Sequence, residues 1–153
     1  MRPEDIPAVL EIERGSFSTP WPPEAFTQEL SHNRMARYLV ARQGGAVVGY
    51  AGVWLMVDEA HITTFAVHPD WRRQGVGRRL MHALLMVATE MRAARMTLEV
   101  RVSNLAAQAL YRGHGFKIAG RRERLPSMRI SSKWIRYPGG FTDVFGHRLF
   151  KSR

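Results

Sequence analysis

The segment Arg72-Arg73-Gln74-Gly75-Val76-Gly77 has residue types and spacing suited to holding phosphate. Glycine lets backbone N–H groups approach an anion closely, and a helix beginning near Val76 would present unpaired N–H donors at the positive end of its dipole. Arg72, Arg73, Arg78 and Arg79 add cations able to pair with further phosphates. No Gly-Lys-Ser/Thr follows, which excludes the P-loop of nucleoside triphosphatases. A tight strand-to-helix turn flanked by solvated arginines would explain the two glycines taken alone. Against that stand the segment's position between a strand and a long helix, and the motifs downstream.

Composition narrows the other chemistries. The chain has no cysteine, so disulfides, thiolate metal ligands and a cysteine acyl carrier are out of reach. Its six histidines show no His-x-x-x-His or carboxylate spacing that would suggest a metal, and none is expected. His61 offers a base, although a strand histidine also fits a structural role. Met81, Met86 and Met91 fit helix packing better than a cofactor surface.

The elements that must position the cradle follow from periodicity. Ile6, Val9, Leu10 and Glu13 to Phe17 are spaced as a helix that stops at Gly15, and Pro20, Pro22 and Pro23 then break the chain before a second short helix over Glu24 to Leu30. Tyr38 to Arg42 and Ala46 to Met56 are rich in β-branched and aromatic residues and are joined through Gln43-Gly44-Gly45, where glycine permits the positive φ of a hairpin. A third strand runs from Ala60 to Val67 and ends at His68-Pro69, because proline cannot continue the ladder. From Val76 onward, Leu80, Leu84, Val87, Ala88 and Met91 lie on one stripe of an amphipathic helix. Met96 to Arg101 reads as a strand, and Asn104 caps a helix running to about Arg112, with Gly113 and Gly115 at its end. Parallel pairing of the 60–67 and 96–101 strands across the long helix makes a right-handed crossover the default, giving an α/β fold with a mixed sheet.

A chain of 153 residues that is 45% hydrophobic can bury one core but is short for two, so one domain over 1–153 is expected. Its longest apolar stretch, Ala46 to Val57, is interrupted by Gly49 and Gly52 and falls short of the roughly 20 residues that cross a bilayer. Met1 is followed by Arg2, Pro3, Glu4 and Asp5 rather than an apolar run, so a cytoplasmic location with no membrane partner is expected. The formal charge of +10 favours polyanions such as RNA, ribosomes or a phosphate-rich cofactor, and equally describes a basic, soluble surface. Beyond about residue 122 the character changes. Between Arg121 and Arg153, nine Lys or Arg stand against Glu123 and Asp143, with Pro126, Pro138 and Gly139-Gly140 interrupting any period. The one stretch of this basic tail that reads as a strand lies near Val144 to Phe150.

Arg-x-x-Gly-x-Gly at 72–77 resembles the acetyl-CoA motif of the GNAT acetyltransferases. The run from Glu59 to Pro69, Leu98-Glu99-Val100-Arg101-Val102-Ser103-Asn104, Ala109-Leu110-Tyr111 with Gly115-Phe116, and Ser16-Phe17 with Pro20-Trp21 resemble the RimI-type members, which acetylate protein N-termini. The likeness covers about residues 1–122. It implies the GNAT fold, a mixed and mostly antiparallel sheet flanked by helices, with the strand that usually precedes the Arg-Pro pair missing here and with 123–153 atypical. It also implies site residues. Phe65, Ala66 and Val67 would lie beside the pantetheine, with backbone groups pairing to it like a neighbouring strand; Arg73, Gln74, Gly75, Val76, Gly77 and Arg78 would hold the pyrophosphate, Arg72 would add charge, and Asn104 would contact the cofactor. Glu99 and Tyr111 match the family's proton acceptor and donor. The family's Tyr-Tyr pair of the acceptor groove has no equivalent, since Leu125-Pro126-Ser127-Met128 stands there and Tyr137 is too distant.

That pair of roles is chemically reasonable. An amine attacks a thioester only when neutral, and an α-amino group has a reference pKa of about 7.7–8.0, so a carboxylate acting through water suffices as base. A phenol can protect the departing thiolate, and direct transfer in a ternary complex accords with the missing cysteine. The expected function is acetyl-CoA-dependent acetylation of a protein N-terminus, with a ribosomal protein as the usual acceptor of the family. Lysine, small-amine or aminoacyl-tRNA acetylation on the same scaffold, and a non-catalytic coenzyme A- or RNA-binding module, remain the alternatives.

Overall fold

The computed structural model describes residues 1–121, 127–133, 136–137 and 140–141, with side chains through residue 120. Helix α1 (Ile6–Ser16) follows a short 3-10 turn, α2 (Pro23–His32) starts on Pro23 at its first position, and strands β1 (Ala36–Gln43), β2 (Ala46–Met56) and β3 (Glu59–Val67) form an antiparallel meander. Helix α3 (Val76–Glu90) then leads to β4 (Arg95–Arg101), α4 (Leu105–Gly113) and β5 (Lys117–Arg121). Helix α1 continues one residue past the expected stop at Gly15, because Phe17 N–H still reaches the Glu13 carbonyl at 3.0 Å.

Strand β6 (Ser127–Lys133) inserts between β4 and β5, so the sheet order is β1-β2-β3-β4-β6-β5. The expectation that the tail holds a strand only near 144–150 is therefore corrected. Ser127–Lys133 lacks a run of apolar residues, and its extended form comes from antiparallel ladders on both sides, to β4 and to β5. Short β7 (Arg136–Tyr137) and β8 (Gly140–Phe141) pair with each other, and the segment Val144 to Phe150 lies outside the described residues.

Both faces of the sheet are covered. Leu80, Met81, Leu84, Leu85 and Ala88 of α3 pack on Ala51, Val53, Ala60, Ile62, Met96 and Leu98. Val9, Leu10, Ile12 and Phe26 of α1 and α2 pack on Ala36, Tyr38, Tyr50 and Ala66 on the opposite face. Each fully buried side chain such as Leu84 or Ile12 contributes about 1.5–3 kcal/mol. The hairpin turn is as the glycines predict, with Gly44 and Gly45 at φ 54° and 84°.

Two irregularities prepare the site. Gly52 faces Thr64 whereas Val53 faces Ile62, so Thr63 is an extra residue on β3. This bulge reverses the alternation: Ala60 and Ile62 face α3 before it, and Phe65 does so after it. The second irregularity is the β3–β4 ladder. It is parallel, as expected, but pairs only Glu59, Ala60 and His61 with Arg95, Met96 and Thr97. Both strands continue beyond that point, to Val67 and to Arg101, so they separate into a wedge with its vertex at the His61–Thr97 rung.

Candidate active site

The segment of residues 72–75 lies between the 3-10 turn Pro69–Trp71 and α3. Arg73 and Gly75 both take the left-handed conformation, at φ 61° and 82°, and turn the chain sharply into the helix. Gly75 is the residue that caps α3 and supplies no side-chain bond. The first backbone bond of the helix runs from Arg79 N–H to the Gly75 carbonyl at 3.2 Å. The N–H groups of Val76, Gly77 and Arg78 therefore precede the intrahelical ladder and are the donors an anion can use.

The two glycines do different work. A Cβ on Gly75 would meet nothing within 4 Å, so its surface opens onto space an anion can occupy. A Cβ on Gly77 would instead meet Leu110 Cδ2 at 3.4 Å, Val67 Cγ2 at 3.7 Å and Phe65 Cε1 at 4.0 Å, which places Gly77 where α3 crosses β3 and α4. Gly49, which carries no motif, has the same function beneath the helix: its Cβ would lie 3.1 Å from the Ala66 carbonyl and 3.4 Å from Val76 Cγ1.

The arginines also divide. Arg72 turns back, its Nε donating to the Val67 carbonyl at 3.0 Å and its Nη2 to Ser16 Oγ at 3.3 Å, which ties the end of β3 to the end of α1. Gln74 likewise bonds the Asp70 carbonyl at 3.0 Å. Arg73, Arg78 and Arg79 are exposed around the helix start. The loop is thus held by Arg72 and Gln74 while the other three cations remain at the helix mouth.

From this mouth the wedge leads along Phe65, Ala66 and Val67 to the vertex. Ala66 is buried toward α1 and α2 and fixes the strand, while Phe65 lies on the opposite face and meets Tyr111 edge-on at 6.0 Å between ring centroids. Tyr111 sits on α4, is 6% exposed and is also flanked by Phe116 at 5.9 Å. Burial pushes its phenol up to about 12, so it holds its proton throughout the working range. Asn104 Oδ1 accepts from Ala107 N–H at 3.1 Å and caps α4, as its position predicts. Gln108, unmarked by any motif, is buried and donates to the Arg101 and Val102 carbonyls at 3.1 and 2.8 Å, binding α4 to the end of β4.

Glu99 is exposed on β4, on the sheet face opposite the buried Met96, Leu98 and Val100, and stands opposite Arg129 in the β4–β6 register. Glu99 and Tyr111 therefore approach the wedge from different faces. The α1–α2 loop closes the Glu99 side: Arg101 Nη2 reaches Ser18 Oγ at 3.1 Å, and Glu13 Oε1 accepts from Trp21 N–H at 2.9 Å. Glu13 is 3% exposed and its Oε2 has no hydrogen-bond partner among the described residues; burial raises its pKa. No sequence signal marks Arg101 and Ser18, whose bond joins a loop to a strand 83 residues away, or Glu13, whose bond to Trp21 needs the loop to fold back across eight residues.

The arrangement accepts an elongated ligand with an anionic end. Uncapped helix donors and three exposed arginines stand at the start of α3, β3 and β4 run unpaired with each other beyond His61–Thr97, and a carboxylate on β4 and a phenol on α4 lie on opposite faces of the sheet. Among the described residues there is no cluster of His, Asp or Glu able to hold a metal ion, and no helix is long and apolar enough to cross a membrane.

Comparison with known proteins shows the family. Residues 6–116 match the acetyltransferase (GNAT) family. A relative from Bacillus subtilis (strain 168) is 43% identical over 123 residues, spanning 80% of this chain and 82% of its own. The N-alpha-acetyltransferase RimI of Mycobacterium tuberculosis is 42% identical over 123 residues, with 76% and 74% covered. The crystal structure of the ribosomal-protein-S18-alanine N-acetyltransferase from Escherichia coli superposes with a TM-score of 0.75 at 28% identity, covering 87% of this chain and 90% of that one. The chain belongs to the GNAT family and is an N-acetyltransferase that takes its acetyl group from acetyl-CoA.

Proposed function

We propose that this enzyme acetylates the α-amino group at the N-terminus of a protein, and that its acceptor is a ribosomal protein. The wedge between β3 and β4 carries this reading: the ladder ends at His61–Thr97, and beyond it β3 runs on to Val67, ahead of the uncapped start of α3, while β4 runs on through Glu99. The relatives' names support the acceptor class: all three are named for N-alpha or ribosomal-protein alanine acetylation.

In this reading Val76, Gly77 and Arg78 bind the pyrophosphate through their N–H groups, with Arg73, Arg78 and Arg79 supplying charge and Arg72 bracing the loop. Phe65 to Val67 align the pantetheine in the open ladder, and Asn104 holds the start of α4 beside it. Glu99 attracts the acceptor ammonium and takes its proton through water. The neutral nitrogen attacks the thioester carbonyl, the nitrogen–carbon bond forms, the carbon–sulfur bond breaks, and the nitrogen gives up its remaining surplus proton to solvent to leave the neutral amide. Tyr111, fully protonated because burial holds it near 12, donates its O–H to the departing sulfur. A thiol has a reference pKa of about 8.5, so Tyr111 stabilises the thiolate chiefly by this hydrogen bond, and solvent restores the thiol.

Residues 1–153 act as one acetyltransferase domain in the cytoplasm, and the net charge of +10 favours encounter with ribosomal surfaces. A mass-spectrometric screen of N-terminal peptides with acetyl-CoA tests activity, acceptor and site of acetylation together. Transfer to α-amino groups is expected; exclusive transfer to lysine side chains would replace this reading with the alternative.

A further inference from the structure

At the vertex of the wedge a chain of hydrogen bonds crosses from β3 to β4 that the roles of Glu99 and Tyr111 leave unused. His61 Nδ1 lies 3.0 Å from Thr97 Oγ1, Thr97 Oγ1 donates to Glu59 Oε1 at 2.7 Å, and Arg95 Nε donates to Glu59 Oε2 at 2.8 Å. These residues form the last rungs before the strands part. Thr97 and Glu99 are two apart on β4, hence on one face and about 7 Å apart along the strand. His61 shares that face, because its cross-strand neighbours there are Trp54 and Thr97.

The bonding fixes the tautomer. Thr97 has one hydroxyl proton, and the Glu59 carboxylate can only accept, so that proton is spent on Glu59. The short contact to His61 then requires Nδ1 to be the donor, which makes Nε2 the basic nitrogen. Protonation at Nε2 creates an imidazolium whose Nδ1–H is already paired, through Thr97, with a carboxylate held by Arg95. Other charged or polar groups on this face are Glu99 and Arg101 of β4 and Glu29 of α2, which receives Trp54 Nε1 at 2.7 Å; β6 places Lys133, Ser131 and Arg129 opposite Arg95, Thr97 and Glu99.

We infer that His61 Nε2 receives the proton released by the acceptor amine, with Thr97 and Glu59 as positioning residues that set its tautomer and stabilise its charged form. This rests on the proposed N-terminal acetylation and adds to it the resting place of the proton. A carboxylate with a reference pKa of about 4.3 holds a proton poorly against an ammonium near 7.7–8.0, whereas an imidazole near 6.5 is closer to matched. The ammonium N–H bond breaks and its proton passes to Nε2 directly or through water; the freed lone pair forms the new nitrogen–carbon bond as the carbon–sulfur bond breaks, and the nitrogen's second proton leaves to solvent, which restores the thiol.

Two measurements test it. Nitrogen-15 NMR of the imidazole in the parent protein is expected to show the Nδ1–H tautomer at high pH, and a predominant Nε2–H tautomer overturns the inference without reference to activity. The pH dependence of kcat is then compared for the parent, His61→Gln, Thr97→Val and Thr97→Ser. His61→Gln is expected to lose about 100-fold in kcat near pH 7, in the range general-base catalysis supplies, and to recover partly above pH 8 where the amine arrives neutral. Thr97→Val should displace the acidic limb and lower kcat about 10-fold, with KM for acetyl-CoA unchanged and Thr97→Ser restoring the parent profile. If His61→Gln keeps the parent profile, or Thr97→Val lowers kcat equally at all pH values, the inference is wrong while N-terminal acetylation stands. No transfer by the parent to any N-terminal peptide removes that reading, and this one with it.

Discussion

Replacing Gly75 with valine separates what the loop does for the fold from what it does for the ligand. In the free protein the new Cβ would meet nothing within 4 Å, so no clash contributes. The cost is conformational: Gly75 sits at φ 82°, where a β-branched residue is strained by about 1–3 kcal/mol. For a chain of this size that lowers the melting temperature by about 2–12 °C, taking roughly 2–4 °C per kcal/mol. Ligand binding should suffer further, because the side chain fills the space through which an anion reaches the N–H groups of Val76, Gly77 and Arg78. Losing charge-assisted bonds of about 1.5–3 kcal/mol weakens acetyl-CoA affinity by about 10- to 150-fold. Isothermal calorimetry at a temperature where the variant is folded reads this directly, with Gly77→Ala as comparison; its Cβ faces Leu110 and Val67 rather than the helix mouth. Unchanged affinity in Gly75→Val, together with the expected fall in melting temperature, would refute the assignment of pyrophosphate to this helix terminus.

Tyr111→Phe should lower kcat by about 100-fold and leave acetyl-CoA affinity nearly intact, since it removes one donor and little shape; equal turnover would mean that another acid or solvent serves the sulfur. Glu99→Gln should depress the rate most at low pH, and part of the loss should return at higher pH; a uniform loss with weaker peptide binding would make Glu99 an acceptor-positioning residue. Glu13 gives a stability prediction whose sign follows from its raised pKa: the folded state holds the proton more tightly than the unfolded one, so the parent loses stability as pH rises from about 4.5 through the folded pKa. Melting temperatures of Glu13→Gln and the parent should therefore diverge from pH 4 to pH 7 in favour of the variant, and a pH-independent difference would show that the Glu13 pKa is not raised in the folded state.

Local chemistry made much of the molecule legible in the sequence. The 3.6-residue stripe from Leu80 to Ala88 faces the core, Asn104 caps α4, and Gly44-Gly45 makes the hairpin, because each depends on residues within a few positions of one another. Gly75 at the start of α3 belongs to the same class: its φ and its position before a helix are properties of one short segment. Tertiary structure decided the rest. Ser127–Lys133 is a strand because β4 and β5 offer it ladders, not because of its own pattern. The Thr63 bulge, which turns Phe65 toward Tyr111, exists only in the register against Gly52 and Val53. Arg72 looks like a phosphate ligand in the motif and is drawn back to Val67 and Ser16 in the fold. The His61–Thr97–Glu59 chain likewise needs two strands brought into parallel register from 36 residues apart. Periodicity and capping act over a turn or two of backbone, whereas proton paths and ladder endings depend on which distant groups become neighbours, and only packing of the whole chain sets that.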